Sequence, residues 1–541
     1  MTDIDQQPEG GHGRKVRSLP ASAPLLSGLR PAVPVGQRAH GPTGVQCRGR
    51  ERVRGMYTAV AQGTQIKILD YGAMVKRFRM LAAIASLALS ASICVGQSQD
   101  GILSGAIVTP DRVIQPGWLV IKNGHIDAIL DKAPPVGSGR IIETGGTIFP
   151  GFVDLHNHPM YNIFPRWPNK TKFKNRYEWR DLQEYKDIIG TPGSELQQKN
   201  DQTFCDIDEY AEVRAVIGGT TSITGITARR PPATPVPACV AGLVRNLDWS
   251  SGFYDAPFGK ERIENALGIT PHDMTPSDAQ RFADDLSTKR IDLLLVHAGE
   301  GSPDDIESTL ELIALKGRGL LGDHTAVIHG TGFSSDDFRQ MRVAGTALIW
   351  SPRGDMTLYR TTTNVAAALR EGVTIALAPD WSPTGSVNML SELGFASRFS
   401  KDNLMGLLSD RDLFKMATSI PARIARIDDK VGSLQPGLLA DFFVLKSNSS
   451  NPFAALAQAE PGDVQLVVIG GVPVYGSQKL MGQFAVPTEA ITFCGKTMLL
   501  NSADLPAGKF DLVKHRLEGD LAAYKLSLAP IDEDCAQAPT R

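Results

Sequence analysis

Short apolar runs, each followed by a polar side chain, recur along the middle of the chain. Residues 151–155 form one such run, and residues 293–296, 326–328 and 373–377 form three more. Continuous apolar stretches of about four to eight residues, bounded by Gly or Pro, are typical of strands that are buried on both faces. The pattern therefore predicts four buried strands, each followed by a strand-to-helix turn.

Each predicted strand ends in side chains that bind metals or transfer protons. His156 and His158 follow the first strand, and because alternate side chains of a strand share a face, their imidazoles lie on the same side. The other three strands end in His297 with Glu300, in His329, and in Asp380. In a parallel α/β barrel the active site forms at the C-terminal ends of the strands. The pattern therefore predicts a metal-dependent active site at that end.

This order of side chains resembles the amidohydrolase superfamily, which comprises metal-dependent hydrolases built on a (β/α)8 barrel. The greatest similarity is to the cytosine/adenosine deaminase and triazine hydrolase branch, whose strands carry His-x-His, His-x-x-Glu, His and Asp in that order. Residues 418–423 and 432–441 resemble the family's passage from the last barrel helix to a flanking sandwich. The resemblance covers about residues 100–485. It implies an α/β fold, a (β/α)8 TIM-type barrel with a flanking β-sandwich formed from both ends of the domain.

The resemblance also implies roles for the strand-end side chains, whereas the residues alone leave the roles of Glu300, His329 and Asp380 interchangeable. In the family, the matching positions of these three residues are catalytic. The implied metal ligands are His156, His158, His297 and Asp380. Three imidazoles and one carboxylate suit zinc, with iron or manganese as alternatives. Binuclear members add a carboxylated lysine from a middle strand, but Lys289 precedes its strand, so one divalent ion is expected.

The domain organisation follows from the same patterns. The metal-dependent hydrolase barrel is expected at residues 148–430. Short alternating strands at residues 98–147 and 431–485 are expected to form the two parts of the sandwich. Residues 486–541 show neither pattern and are interpreted as a C-terminal extension with one amphipathic stretch, Leu512–Leu526.

The segment 74–97 has the features of a secretory signal peptide. A basic stretch precedes an apolar run at residues 80–95, which is shorter than the roughly 20 residues of a membrane span. We expect translation to start at Met74, and residues 1–73, rich in Gly, Pro and Arg, to be a non-native or disordered leader. The alternative is a genuine leader with an internal membrane-surface helix. The mature protein is expected to be exported, to the periplasm or the cell exterior.

Export changes the expectation for the cysteines. Four of the six cysteines lie after the signal peptide, and an even number in an oxidising compartment favours disulfides. Neighbourhood in the sequence favours the pairs Cys205–Cys239 and Cys494–Cys535, out of three possible pairings.

Composition restricts the partners. The chain is 42% hydrophobic and 21% charged, with a formal net charge of −2, so it offers no basic surface for nucleic acid and no acidic tail. We expect a small-molecule substrate, no membrane association after signal cleavage, and possible homo-oligomerisation.

Four side chains are candidates for substrate binding. Arg176 and Trp179 lie in a long insertion after His158, where a basic-aromatic cluster could hold a carboxylate or stack on a ring; a packed surface loop is the alternative. Arg353 could pair with an anionic group, and Trp381 could line the pocket. Residues 351–356 depart from the Pro-x-Ser-Asn sequence common in the deaminase branch, which weakens the prediction of adenosine, cytosine or a triazine as substrate.

These observations predict a secreted amidohydrolase that uses a metal-activated water on a non-peptide C–N bond of a small molecule. The bond belongs to an amide, a cyclic amide or an amidine, the last being cleaved by deamination. One alternative is a non-catalytic barrel that serves as a binding or scaffold protein, which the presence of all six expected side chains disfavours. A second alternative is a binuclear amidase or dipeptidase.

Overall fold

The computed structural model describes residues 100–225, 238–248, 263–265 and 269–535. The predicted leader 1–73 and signal peptide 74–97 lie outside these residues. Within the four ranges, we find no helix with the length and apolarity that a bilayer span requires.

Four strands open the described part of the chain: β1 (Gly101–Val108), β2 (Val113–Lys122), β3 (His125–Leu130) and β4 (Ile141–Pro150). Strand β2 pairs antiparallel with both β1 and β3, whereas β4 runs parallel to β1. Asn123 and Gly124, both with positive φ, form the tight turn between β2 and β3.

Eight parallel strands follow, in the order that a (β/α)8 barrel requires. They are β5 (Phe152–Asp154), β6 (Thr220–Ile223), β7 (Arg245–Asn246), β8 (Ile263–Asn265), β9 (Leu293–Ala298), β10 (Thr325–His329), β11 (Ala347–Trp350) and β12 (Ile375–Leu377). Strands β5, β6 and β7 form one sheet, and β8 to β12 form another. Beyond strand β12, a single parallel bridge joins Asp380 to Asn157, which follows β5. The fold is therefore of the TIM-barrel type, but among the described residues no continuous ladder closes the two sheets into a ring.

Helices connect these strands and surround them. They are α1 (Arg176–Asp181), α2 (Gln183–Tyr185), α3 (Thr191–Lys199), α4 (Asp201–Ile217), α5 (Pro276–Ser287), α6 (Ile306–Gly317), α7 (Ser335–Ala344), α8 (Pro352–Tyr359), α9 (Val365–Glu371), α10 (Met389–Asn403), α11 (Asp410–Met416), α12 (Ser419–Ile424), α13 (Pro452–Ala457), α14 (Gln478–Met481) and α15 (Phe510–Ala522). Capping boxes begin α5, α7 and α11, where a Thr or Ser precedes the helix and an Asp lies three residues later.

The C-terminal part returns to the first sheet with β13 (Phe442–Leu445), β14 (Val464–Ile469), β15 (Val472–Ser477), β16 (Thr488–Phe493) and β17 (Lys496–Asn501). Strand β13 pairs antiparallel with β4, placing Phe443 opposite Phe149. The two ends of the domain therefore share one sheet, in the order β16-β17-β15-β14-β13-β4-β1-β2-β3. The predicted two-layer sandwich is not confirmed, because strand pairing joins all nine strands into one sheet. A small hydrophobic core that includes Leu119, Phe442 and Leu466 packs against part of this nine-stranded sheet.

The C-terminal extension, which showed no strand pattern in the sequence, contributes the hairpin β16–β17 to this sheet. Helix α15 then contacts α4, and Arg516 pairs with Asp206 across the contact. Disulfides join Cys205 to Cys239 and Cys494 to Cys535. The second disulfide ties the end of the described chain to the β16–β17 hairpin.

Candidate metal centre and catalytic cavity

The strand-end histidines and aspartate converge at one end of the parallel strands. In two overlapping groups, His156 with His297 and His329, and His156 with His158 and Asp380, the donor atoms lie within 4.8 Å of one another. Asp380 Oδ1 is 3.3 Å from Nε2 of His156 and 3.3 Å from Nε2 of His158. The structure thus gathers all the ligands that the resemblance implied, and His329 with them.

Backbone geometry places two of these side chains. His329 and Asp380 have φ values of 73° and 66°, in the left-handed region, which costs a residue other than glycine of order 1–3 kcal/mol. Backbone hydrogen bonds to the segment that follows β5 hold Asp380 in place. The amide of Asp380 donates to the carbonyl of His156 at 3.1 Å, and the amide of His158 donates to the carbonyl of Asp380 at 3.0 Å.

The electrostatics of the cluster suit a cation. Burial, followed by repulsion from neighbouring histidines and Arg176, holds the pKa of His156 and His297 well below the usual range. Both imidazoles are therefore neutral, the form that binds metal. Nε2 of His156 is buried and has no hydrogen-bond partner within the described ranges. A buried lone pair facing two further imidazoles and a carboxylate fits a divalent metal ion.

The orientation of His156 is fixed by residues next to it in space. Its Nδ1 lies 2.8 Å from the hydroxyl of Ser351, which leaves Nε2 directed at the cluster. Asp154 Oδ1 accepts instead from the backbone amide of His156 at 3.1 Å, and Oδ2 accepts from Asn157 at 2.6 Å. Asp154 therefore shapes the turn after β5 and does not contact the imidazole.

Glu300 lies beside the cluster on the turn that follows β9. Its Oε2 is 3.9 Å from Nε2 of His329 and 3.3 Å from Nη1 of Arg176. Its Oε1 accepts a hydrogen bond of 2.8 Å from the hydroxyl of Tyr359. Gly299, with a φ of 67°, forms the tight turn that brings Glu300 back towards the strand ends.

A cavity opens over the cluster, and the insertion after β5 forms much of its wall. Trp381 packs with its ring centroid 5.8 Å from that of Trp179 and 5.9 Å from that of Tyr161. The cavity is lined by His158, Met160, Tyr161, Arg176, Trp179, Arg180, Tyr185, Gln197, Gly225, His297, Glu300, His329, Asp380 and Trp381. The metal-binding cluster and an aromatic wall thus share one cavity.

Comparison with known proteins agrees with this arrangement. The amidohydrolase family pattern matches residues 294–474, which include three of the strand-end groups. This match supports the resemblance to the amidohydrolase superfamily that the strand-end motifs indicated. A 5-methylthioadenosine/S-adenosylhomocysteine deaminase of Symbiobacterium thermophilum is 25% identical over 419 residues, covering 69% of this chain and 93% of the relative. The prediction of an enzyme, a hydrolase of C–N bonds other than peptide bonds, is confirmed.

Solved structures share the fold of this chain. An adenosine deaminase from Xanthomonas campestris with bound zinc has a TM-score of 0.60 at 16% identity, covering 79% of this chain and 98% of that one. A triazine hydrolase from Arthrobacter aurescens has a TM-score of 0.58 at 14% identity, covering 78% and 99%. These proteins represent the two arms of the predicted branch.

Three of the four candidate substrate-binding residues line the cavity, namely Arg176, Trp179 and Trp381. Arg353 is not among them. Its guanidinium donates to the hydroxyl of Ser386 at 3.3 Å and lies 3.7 Å from Asp534. Successive residues of a helix are about 100° apart, so Arg353, two positions before Asp355 on α8, faces away from the strand ends.

Three residues that hold the catalytic side chains in place were not predicted from the sequence. Ser351, Asp355 and Tyr359 contact His156, His329 and Glu300 respectively. They are spaced by four residues from the end of β11 through α8, so they lie on one helical face. That regular spacing was the available signal, but the partners are distant in the sequence and only the fold identifies them.

Proposed function

We propose that this amidohydrolase uses one divalent metal ion to hydrolyse a non-peptide C–N bond of a small molecule, and that deamination of an aminated ring is the first reaction to test. The observation that carries the proposal is the convergence of four metal-binding side chains, three of which line one cavity together with Glu300. The curated relative named above as a deaminase supports the choice of reaction.

Four side chains would hold the ion: His156, His158, His297 and Asp380. Three imidazoles and one carboxylate favour zinc over magnesium or calcium, which prefer oxygen ligands. When bound, such an ion supplies a water molecule of lowered pKa and polarises the bond under attack.

Glu300 is proposed to carry protons. Its carboxylate lies at the edge of the metal cluster, where it can accept a proton from the attacking water and return it to the leaving nitrogen. Because both carboxylate oxygens are already oriented by neighbouring groups, the transfer requires little rearrangement.

His329 is proposed to stabilise the charge that develops on the substrate. Burial opposes a charge on this imidazole, but the carboxylates of Glu300 and Asp355 raise the pKa of His329 to about 9. With Nδ1 bound to Asp355, Nε2 faces the cluster as a hydrogen-bond donor. Asp380 is proposed to assist as a second proton acceptor beside the ligand imidazoles.

The decisive experiment combines metal analysis with an ammonia-release assay. Elemental mass spectrometry of protein purified without chelator should find one zinc per chain. The assay should use 5-methylthioadenosine, S-adenosylhomocysteine and adenosine as probes. Two ions per chain would favour the binuclear alternative. No ion, with no activity after zinc is added, would favour the scaffold alternative.

Replacing the proposed proton carrier separates chemistry from metal binding. Glu300→Gln should retain zinc and lose turnover, because an amide cannot accept the proton. Glu307→Gln, on the exposed start of α6, is the matched control and should behave as the parent enzyme. Full activity of Glu300→Gln would reject the proposed role.

We propose in addition that the enzyme is exported. The signal-peptide pattern at residues 74–97 carries this proposal, and two disulfides in the folded chain support it, because disulfides persist in oxidising compartments. Mass spectrometry of the native protein should find an N-terminus close to residue 98. An N-terminus before Met74 would reject the proposal.

A further inference from the structure

We propose that the insertion after β5 forms part of the proton-transfer machinery by positioning Glu300. Arg176 acts on the Glu300 carboxylate directly, and Trp179 acts on it through Tyr359. The inference rests on the proposed role of Glu300 as the proton carrier. It assigns Tyr359 a function, and it assigns two cavity residues to the enzyme's own carboxylate instead of to a substrate group.

Both oxygens of the Glu300 carboxylate are engaged. Tyr359 donates to Oε1 at 2.8 Å, and the guanidinium of Arg176 lies 3.3 Å from Oε2. All three residues are buried. Because a buried carboxylate is held strongly by a cation and a hydroxyl donor, these two contacts fix the rotation of the carboxylate and direct Oε2 towards His329.

The direction of the hydrogen bond to Glu300 follows from the next residue in the network. The indole Nε1 of Trp179 lies 2.8 Å from the hydroxyl oxygen of Tyr359. An indole N–H can only donate, so the oxygen of Tyr359 accepts from Trp179 and its own proton remains available for Glu300. Burial raises the pKa of Tyr359 well above the usual range, so the hydroxyl keeps that proton.

The backbone ties the insertion to the same turn. The amide of Arg176 donates to the carbonyl of Glu300 at 3.3 Å, and the amide of Ser302 donates to the carbonyl of Lys174 at 2.6 Å. An antiparallel bridge joins Asn175 to Gly301. The start of α1 and the turn that carries Glu300 are therefore paired as a short ribbon, which holds the side-chain network in register.

The first test is a matched pair of tyrosine variants. Tyr359→Phe removes the hydroxyl that contacts Glu300, whereas Tyr177→Phe removes a hydroxyl on α1 that contacts Thr270 instead. On whichever probe the parent enzyme deaminates, Tyr359→Phe should lower kcat by about 10- to 100-fold, with KM within about twofold and zinc content unchanged. Tyr177→Phe should match the parent.

A conservative rescue tests the second contact. Arg176→Lys, which keeps the charge, should retain more of kcat than Arg176→Gln, which removes it. Equal losses in both variants, a rise in KM without a fall in kcat for Tyr359→Phe, or loss of zinc from Tyr359→Phe would each overturn the inference.

A crystal structure of zinc-loaded Tyr359→Phe gives a result that needs no substrate. The carboxylate of Glu300 should leave its position beside residue 359 or occupy more than one orientation, and an unchanged single orientation would overturn the inference. If the parent enzyme turns over none of the probes, the choice of reaction fails, while this structure still decides whether Tyr359 positions Glu300.

Discussion

Asp355 Oδ1 lies 2.9 Å from Nδ1 of His329, and both side chains are buried. The other oxygen of Asp355 accepts from Thr362 at 2.8 Å, so the carboxylate is held on both sides. This contact orients the imidazole of His329 and, together with Glu300, raises its pKa.

We predict that Asp355→Asn lowers kcat by about 10- to 100-fold while leaving zinc bound, because the neutral amide neither fixes the tautomer nor stabilises the charged imidazole. NMR titration of His329 in the metal-free protein should give a lower pKa than in the parent. Asp323→Asn, at an exposed pair with Arg426, is the control. An unchanged pKa of His329 in Asp355→Asn would contradict the prediction.

Ser351 should matter for metal affinity. Ser351→Ala removes the hydrogen bond of 2.8 Å between the serine hydroxyl and Nδ1 of His156, so the imidazole loses the contact that orients it. We expect zinc affinity to fall by about 10- to 100-fold, measured by competition with a chelator. Ser400→Ala, which removes another buried hydroxyl that bonds Leu408, should leave zinc affinity unchanged; an equal loss in both variants would argue against a specific role.

Arg214 should be important for stability. Its wholly buried guanidinium lies 2.8 Å from Glu533, in the segment that Cys535 ties down, and 3.1 Å from Ser382. We predict that Arg214→Met lowers the free energy of unfolding in urea by about 3 kcal/mol, because removing one partner leaves buried polar groups unpaired.

The control for that prediction is Arg339→Met, at an exposed pair with Glu371. Exposed pairs contribute little, so this variant should unfold as the parent does. Similar unfolding of Arg214→Met and the parent would show that the tail is held by other contacts.

Glu209 should make stability depend on pH. Burial raises the pKa of its carboxyl from 4.5 to about 8, although Oε2 accepts from the amide of Ala507. Between these values the folded state keeps a proton that the unfolded state has lost, so this group's contribution is full below pH 4.5 and is lost as the pH rises to about 8.

Glutamine cannot lose that proton, so Glu209→Gln should unfold like the parent at pH 5 and at a higher temperature than the parent at pH 9. The difference should grow by at most about 1.4 kcal/mol per pH unit. Thermal unfolding at both pH values checks this, with exposed Glu307→Gln as the control. A difference that does not change with pH would contradict the prediction.

The sequence by itself determined four of the eight parallel strands and the metal-binding and acid–base residues at their ends. A buried parallel strand is apolar along its whole length, so the runs at residues 293–296 and 326–328 were recognisable without their neighbours. The structure extends them to Leu293–Ala298 and Thr325–His329. Since parallel strands end on one side, His156, His297 and Asp380 could be placed together from sequence order alone.

Only the tertiary structure decided which side chains support that site. Ser351 and His156 are 195 residues apart, and Tyr359 and Glu300 are 59 apart. Such pairs leave no local pattern, because they depend on how helices pack over the strand ends. Arg353 had the chemistry of an anion-binding residue, but the rotation of α8 directs it towards Asp534.

The sheet of the terminal segments illustrates the same limit. Alternating strands were evident at both ends of the domain, but whether they form two layers or one sheet depends on long-range pairings such as that of β13 with β4. The hairpin β16–β17 was not predicted, because its half-buried strands gain their order from pairing with β15 and from the disulfide at Cys494. Local periodicity determines an element, whereas its neighbours are determined by the packing of the whole chain.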